Sequence, residues 1–203
     1  MILKKVFRTL NSEIKNRGLY FAVLMNISYV VAAMRGTFFK ILYFQNIRSS
    51  IFFLQSNSKL EVFNKKAGIT IGKFVFMRKN VSIRIDGQGV LEIGEKTFIN
   101  DNCNINCIHK VSIGKYTKIA PNVSINDHDH NYKASSTEHL LKGEVKIGNH
   151  VWIGSNVVIL RDTVIGDHAV IAAGSVVKGN VPPHTLFVNK RESIYIDYAE
   201  KSS

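Results

Sequence analysis

Between Asn126 and Glu144 the chain reads NDHDHNYKASSTEHLLKGE. The segment holds His128, His130 and His139, with Asp127 and Asp129 beside the first two. An imidazole titrates near neutrality, so it can take the proton of a hydroxyl that is attacking an electrophile. Such help is typically worth about 10²–10⁴-fold in rate. Histidines also ligate zinc, and His109 lies upstream as a third donor. A third reading makes them ordinary solvated loop residues. The segment is too long and polar for a turn, and irregular segments on rigid scaffolds often carry chemistry. The choice depends on the scaffold.

That scaffold announces itself as a six-residue beat. From position 147 the chain reads IGNHVW, IGSNVV, ILRDTV, IGDHAV, IAAGSV, VKGNVP without a slip. An aliphatic residue opens each hexad: Ile147, Ile153, Ile159, Ile165, Ile171 and Val177. Four residues later comes a small or β-branched one: Val151, Val157, Thr163, Ala169, Ser175 and Val181. The same beat runs less evenly from about residue 69, through IGKFVF, MRKNVS, IGEKTF, INDNCN, IGKYTK and IAPNVS. A period of six is neither helical nor simple strand alternation. It fits a short strand plus a turn, three units making a triangular coil of eighteen residues, with stacked coils burying an aliphatic column. The glycine after the aliphatic residue (as in Gly72, Gly114 and Gly148) is expected to supply the tight bend.

Three hexads fail in the small-residue slot: Gly87 after Ile83, His109 after Ile105, and Asp129 after Ile125. Each failure begins an insertion. The third is the large one, about 127–145, and it contains the histidine segment.

Over about residues 69–185 the chain resembles the hexapeptide-repeat acyltransferases, which fold as left-handed parallel β-helices. IAPNVSI, a His-containing loop and IGNHVWIGSNVVI resemble the galactoside, maltose and capsule or O-antigen O-acetyltransferase branch. The resemblance implies an all-β repeat fold, a left-handed β-helix at 61–185 with one protruding loop; the residues on either side read as a helical or mixed hydrophobic and basic region at 1–60 and a C-terminal extension at 186–203. It implies acetyl transfer from acetyl-CoA to a sugar hydroxyl of a surface polysaccharide or its precursor. The general base would be His128, the first histidine after IAPNV, with His130 exchangeable for it by a two-residue shift. Ser155, Ala173 and Lys178 match positions that touch the cofactor, and Trp152 lies where it would cap a bound thioester or pack at a subunit interface. Asn100 matches an acceptor contact, with Asn102 beside it; both also suit turn positions. The family is typically trimeric with sites between protomers, and outward Val158, Val164, Val170 and Val176 fit such assembly. The family's Gly-x-Pro-Ala ending is replaced by Pro182-Pro183.

Alternatives remain at this level: acetylation of a sugar amine, a serine or an antibiotic, a zinc protein resembling γ-type carbonic anhydrases, or a non-catalytic scaffold. No resident metal is expected. His150 and His168, eighteen residues apart, are read as surface residues of successive coils.

The totals bound the rest. The 203 residues suit one domain with a small appendage. The net charge of +12 favours an acidic partner, namely an anionic membrane or a phosphorylated ligand. No RNA-binding signature, zinc-finger spacing or compact basic block points to nucleic acid. Cys103 and Cys107 make no disulfide framework, which fits a reducing compartment. Ile2, Val6, Leu10 and Ile14 mark one face of a helix. Residues 18–34 are uncharged, at the short end of a membrane span, but Asn26, Ser28 and Tyr29 interrupt them. Helices packing on the main domain or lying against the membrane are expected, with a cytoplasmic protein peripheral at the inner face and an acceptor that is lipid-linked or membrane-proximal.

Overall fold

The computed structural model of the protein describes residues 2–132 and 139–190. Because the aliphatic residue of each hexad points inward, short strands turn three times per coil and stack in parallel register on the coil below. Ile47 pairs with Ile69, Ile69 with Leu91, Leu91 with Val111, Val111 with Val145, and Val145 with Thr163. Those six stacked residues lie on the first face of a prism. The second face is a seven-stranded sheet from Phe53–Leu54 to Leu186–Phe187. The third comprises Lys59–Val62, Ser82–Ile85, Asn104–Cys107, Ser124–Asn126 and the start of Val158–Ile165. This is the expected left-handed parallel β-helix, with about six turns and two helices at its N-terminus. Its core is one aliphatic column, with Ile83, Ile105, Ile125 and Ile159 all essentially sealed from solvent.

The insertions all fall at one place, the third corner, where the third face returns to the first. Neighbouring coils are offset by 22 or 23, 20, 34 or 18 residues, and by 16 in the last coil, chiefly according to what is inserted there. Val158–Ile165 and, on the next coil, Val176–Val181 cross that corner as continuous strands, which joins the first and third faces into a single sheet.

The other two corners are columns of residues in the left-handed backbone region, three positions after each aliphatic residue. One column holds Phe74, Lys96, Tyr116, His150, His168 and His184; the other holds Asn57, Asn80, Asn102, Asn122, Asn156 and Gly174. This corrects the role expected of the glycines. Gly72, Gly114 and Gly148 do not carry the positive φ. A methyl group at any of them would lie within 3.0 Å of atoms of the next coil, so their task is close approach between coils. His150 and His168 do stack at exposed corners. Their rings lie parallel at 4.9 Å, in a ladder that runs from Tyr116 to His184.

The solenoid begins before the boundary expected at 60 and continues past 185. Ile47–Ser49 and Phe53–Leu54 form its first rungs, hidden in the sequence because Ser49 stands in register with Ile71. Leu186–Phe187 adds a last rung on Val170–Ile171. Ahead of the first rung come α1 (Ile2–Arg17) and α2 (Leu19–Leu42), joined at Gly18 with φ 82. The later half of α2 docks on the first coils: Tyr29 meets the rings of Phe53 and Phe76, Arg35 donates to the Ser58 carbonyl, and Gly36 leaves room for the Phe52 backbone. Covering an open end with non-repeating structure is what a solenoid requires.

Candidate active site

Along the third face the inward alternation reaches the last position before the corner. Ile85 and Cys107 occupy it on successive coils, and the same register brings Asp127 there next. A carboxylate thus sits in a core slot, with no exposed surface. Burial of an unpaired charge is prohibitive, and here it is answered by hydrogen bonds. The amide of Ile108 donates to both Asp127 oxygens at 3.0 Å, and that of His109 to Oδ2 at 2.8 Å. The remaining partner is Nδ1 of His128, 2.8 Å from Oδ1. With Asp127 ionised, Nδ1 carries the hydrogen and Nε2 is left with its lone pair. The half-buried ring, fixed by a sealed acceptor, has the arrangement of an oriented base.

The long insertion is an arm. His128–His130 runs antiparallel to Leu140–Lys142, with His128 opposite Lys142 and His130 opposite Leu140. Gly143 N–H closes it by donating to the Asp127 carbonyl at 2.7 Å. Asp129 anchors it from outside, accepting from Nε of Arg161 at 2.7 Å on the next coil; Arg161 also meets Asp162. Of the two histidines weighed for the base, only His128 has the buried carboxylate. His130 lies farther along the arm and is exposed. The notable residue that sequence reasoning passed over is Asp127. Its signal was present: an acid in line with Ile85 and Cys107.

The other candidates gather elsewhere. Ser155 and Ala173 sit one coil apart at the second corner, where the Ser155 carbonyl accepts from Gly174 N–H at 2.7 Å. Asn100 belongs to that corner too, two coils lower, and its side chain accepts the Asp101 amide. Asn102 is a corner residue with φ 60, bonded to the Asn80 side chain at 2.9 Å. Trp152 points outward from the second face between Lys118 and Val170, 60% exposed. Lys178 is exposed in the strand Val176–Val181. Between the Ser155–Asn156 turn and Arg161, at the level of the arm, lie Val157–Leu160, an extended stretch of roughly 13 Å. One chain therefore keeps His128 and the Ser155–Ala173 pair at opposite ends of the third face, whereas Lys178, between Val177 and Gly179, lies at the corner of the arm.

The cysteines are packing residues. Burial pushes the Cys103 thiol up to about 11 and drives that of Cys107 higher, aided by the charge of Asp127. Among the described residues of one chain, no three His, Cys, Asp or Glu side chains converge as a metal site.

Comparison with known proteins agrees with this geometry. A family model described as bacterial transferase hexapeptide (six repeats) matches residues 144–179. The chain is 35% identical over 131 residues to an Escherichia coli (strain K12) protein provisionally named the lipopolysaccharide biosynthesis O-acetyl transferase WbbJ, covering 58% of this chain and 67% of that one. It is 31% identical over 159 residues to the galactoside O-acetyltransferase of the same strain, covering 71% and 77%. Among solved structures, the hexapeptide-repeat acetyltransferase VCA0836 of Vibrio cholerae O1 biovar eltor, complexed with acetyl coenzyme A, aligns with a TM-score of 0.51 at 30% identity, over 57% of this chain and 63% of that one. With its repeats, its faces and these relatives in agreement, the chain belongs to the hexapeptide-repeat transferases.

Proposed function

We propose that the protein is an acetyltransferase that moves the acetyl group of acetyl-CoA to a hydroxyl of a sugar, with His128 as general base. The observation that carries this reading is the buried Asp127 holding Nδ1 of His128 at 2.8 Å. The hydroxyl oxygen attacks the thioester carbonyl as its proton passes to Nε2. Collapse of the tetrahedral adduct breaks the carbon–sulfur bond, and the imidazolium returns the proton to the departing thiolate. The two relatives named for O-acetyl transfer favour oxygen over nitrogen as the nucleophile, and the WbbJ likeness favours a surface-polysaccharide acceptor or its precursor. His128→Ala should lower kcat by about 10²–10⁴-fold in a thiol-release assay, while His130→Ala stays near the parent. The reverse ranking would move the base to His130, and full activity in both variants would remove the mechanism.

The placing of the Ser155–Ala173 corner and the arm at two different corners of one chain supports a site completed by a second copy, in a homotrimer that brings that corner of one protomer to the arm of the next. Trp152 and Lys178 would then bound the thioester and a CoA phosphate, with Asn100 toward the acceptor.

We also propose that α1 and the early part of α2 lie on the inner face of an anionic membrane. Leu19, Phe21, Leu24 and Ile27 are exposed, and Lys15 and Arg17 flank them. The whole of α2 is long and apolar enough to cross a bilayer, but its later half is committed to the first coils. Full-length protein should co-sediment with vesicles containing phosphatidylglycerol, and Phe21→Glu/Leu24→Glu should stay in the supernatant. Equal sedimentation of both would dismiss the contact.

A further inference from the structure

The stacked insertions at the third corner enclose a cavity of about 550 Å³ directly beneath the arm. Lys65 and Lys66 come from this corner of the first coil, Gln88 from the first insertion, His109 from the second, and Lys142 from the return strand of the arm. No acidic side chain lines it. Basic residues just outside it are paired: Arg84 with Glu61 and Lys110 with Glu144. Asp86, next to the lining, accepts the Gly87 amide at 2.6 Å. Among the described residues, none of the three cavity lysines has a carboxylate partner. Ion pairs are thus made around the rim and left unmade inside. Like charges gathered in a concave space repel one another until an anion enters, and such a space focuses their field.

The cavity shares parts with the proposed active site. Its wall includes Ile108 and His109, the residues whose amides hold Asp127, and Lys142 is the cross-strand neighbour of His128. Lys65 and Lys66 lie three coils below His128, roughly 14 Å along the prism. We infer that this cavity binds a phosphate- or carboxylate-bearing part of the acceptor while the reacting hydroxyl sits at Nε2 of His128. The inference rests on the acetyl-transfer reading and narrows it: the acceptor is an anionic sugar derivative, and a neutral glycoside leaves the cavity unfilled. Arginine-like forks are absent, so recognition is by point charge from lysine ammonium groups, which tolerates either anion.

The test uses full-length protein saturated with CoA, so that the cofactor's own phosphates are already bound. Calorimetric titration with inorganic pyrophosphate and, separately, with glucuronic acid distinguishes the phosphate from the carboxylate source. At least one should bind, with affinity weakened by about tenfold or more in Lys65→Gln/Lys66→Gln and shifted the same way in Lys142→Gln. Lys96→Gln, on the first corner, should match the parent. CoA affinity, measured alone, should be the same in every variant. The proposal falls if neither anion binds, if the lysine variants bind as the parent does, or if CoA affinity drops by the same factor, which would give the cavity to the cofactor. Binding that behaves as expected, in a protein that acetylates no sugar, would uphold the anion site while removing the transfer reaction.

Discussion

At the scale of single residues, Asp127 has four hydrogen bonds in a slot that Cys107 fills one coil earlier and Ile85 two coils earlier. Asn in its place keeps the shape but offers a single acceptor oxygen and turns an NH₂ group toward N–H donors. Asp127→Asn should therefore cost about 1–3 kcal/mol of stability. It should also lower kcat with the KM for acetyl-CoA unchanged, because the wrong His128 tautomer impairs proton removal and not thioester binding; steady-state kinetics read the split directly. The thiols give a second expectation. With Cys103 raised to about 11 by burial and Cys107 raised further, neither presents thiolate at neutral pH. Both should resist iodoacetamide in the folded protein and react once guanidinium unfolds it, as counted by mass. The sequence showed His128 through its distance from the IAPNV hexad. It did not show the partner, because Asp127 reads as one more polar residue of a polar loop until the register of the third face places it inward.

Elements in this fold are defined by their neighbours one coil away. Gly114 and Gly68 make the point, since neither has a positive φ and only one is crowded. Gly114→Ala should lose about 1–3 kcal/mol, as the methyl meets the Gly148 carbonyl of the next coil, whereas Gly68→Ala has open space and should be near neutral. Thermal denaturation of the two variants checks the contrast. The first corner also has a pH signature. The Asn149 amide N–H, then its side chain, hold the Asp167 carboxyl below the usual carboxylate range, with His168 and His150 adding a smaller pull. A depressed value means the contribution is present above about pH 4 and is lost as the pH falls through it. Asp167→Asn should thus differ from the parent in melting temperature at pH 6, and the difference should shrink at pH 3. The regular coils were legible because six is a period no other element uses. The first rung was not, since Ser49 breaks the aliphatic row, and the arm's pairing was not, since a period-two pattern of three residues is too short to read.

For the molecule as a whole, two corners matter and they are apart. Ser155 and Ala173 occupy one and His128 the other, so under the proposed shared site catalysis would depend on how copies meet. Co-expression offers a check on the shared site. A His128→Ala chain and an Ala173→Trp chain, each inactive alone, should regain thiol release together, since some interfaces then join an intact arm to an intact corner. Continued inactivity of the mixture would mean that each chain works by itself. Family and fold were readable from sequence alone; this division between corners was not, because spacing along the chain does not say which corner a residue occupies.

The unbroken strand Val158–Ile165 marks where the insertions stop. Around it the coils step by eighteen residues, as from Asn149 to Asp167 and from Val158 to Val176, and by sixteen in the last coil, as from Val170 to Leu186; the family model matches residues 144–179. A crossover between two related genes at that level joins halves that are already in phase. Descendants could inherit the C-terminal coils intact while trading the N-terminal ones, with their insertions and cavity, for another set. A scaffold with such a seam lets new acceptors be sampled by recombination, without rebuilding the half proposed to hold the donor.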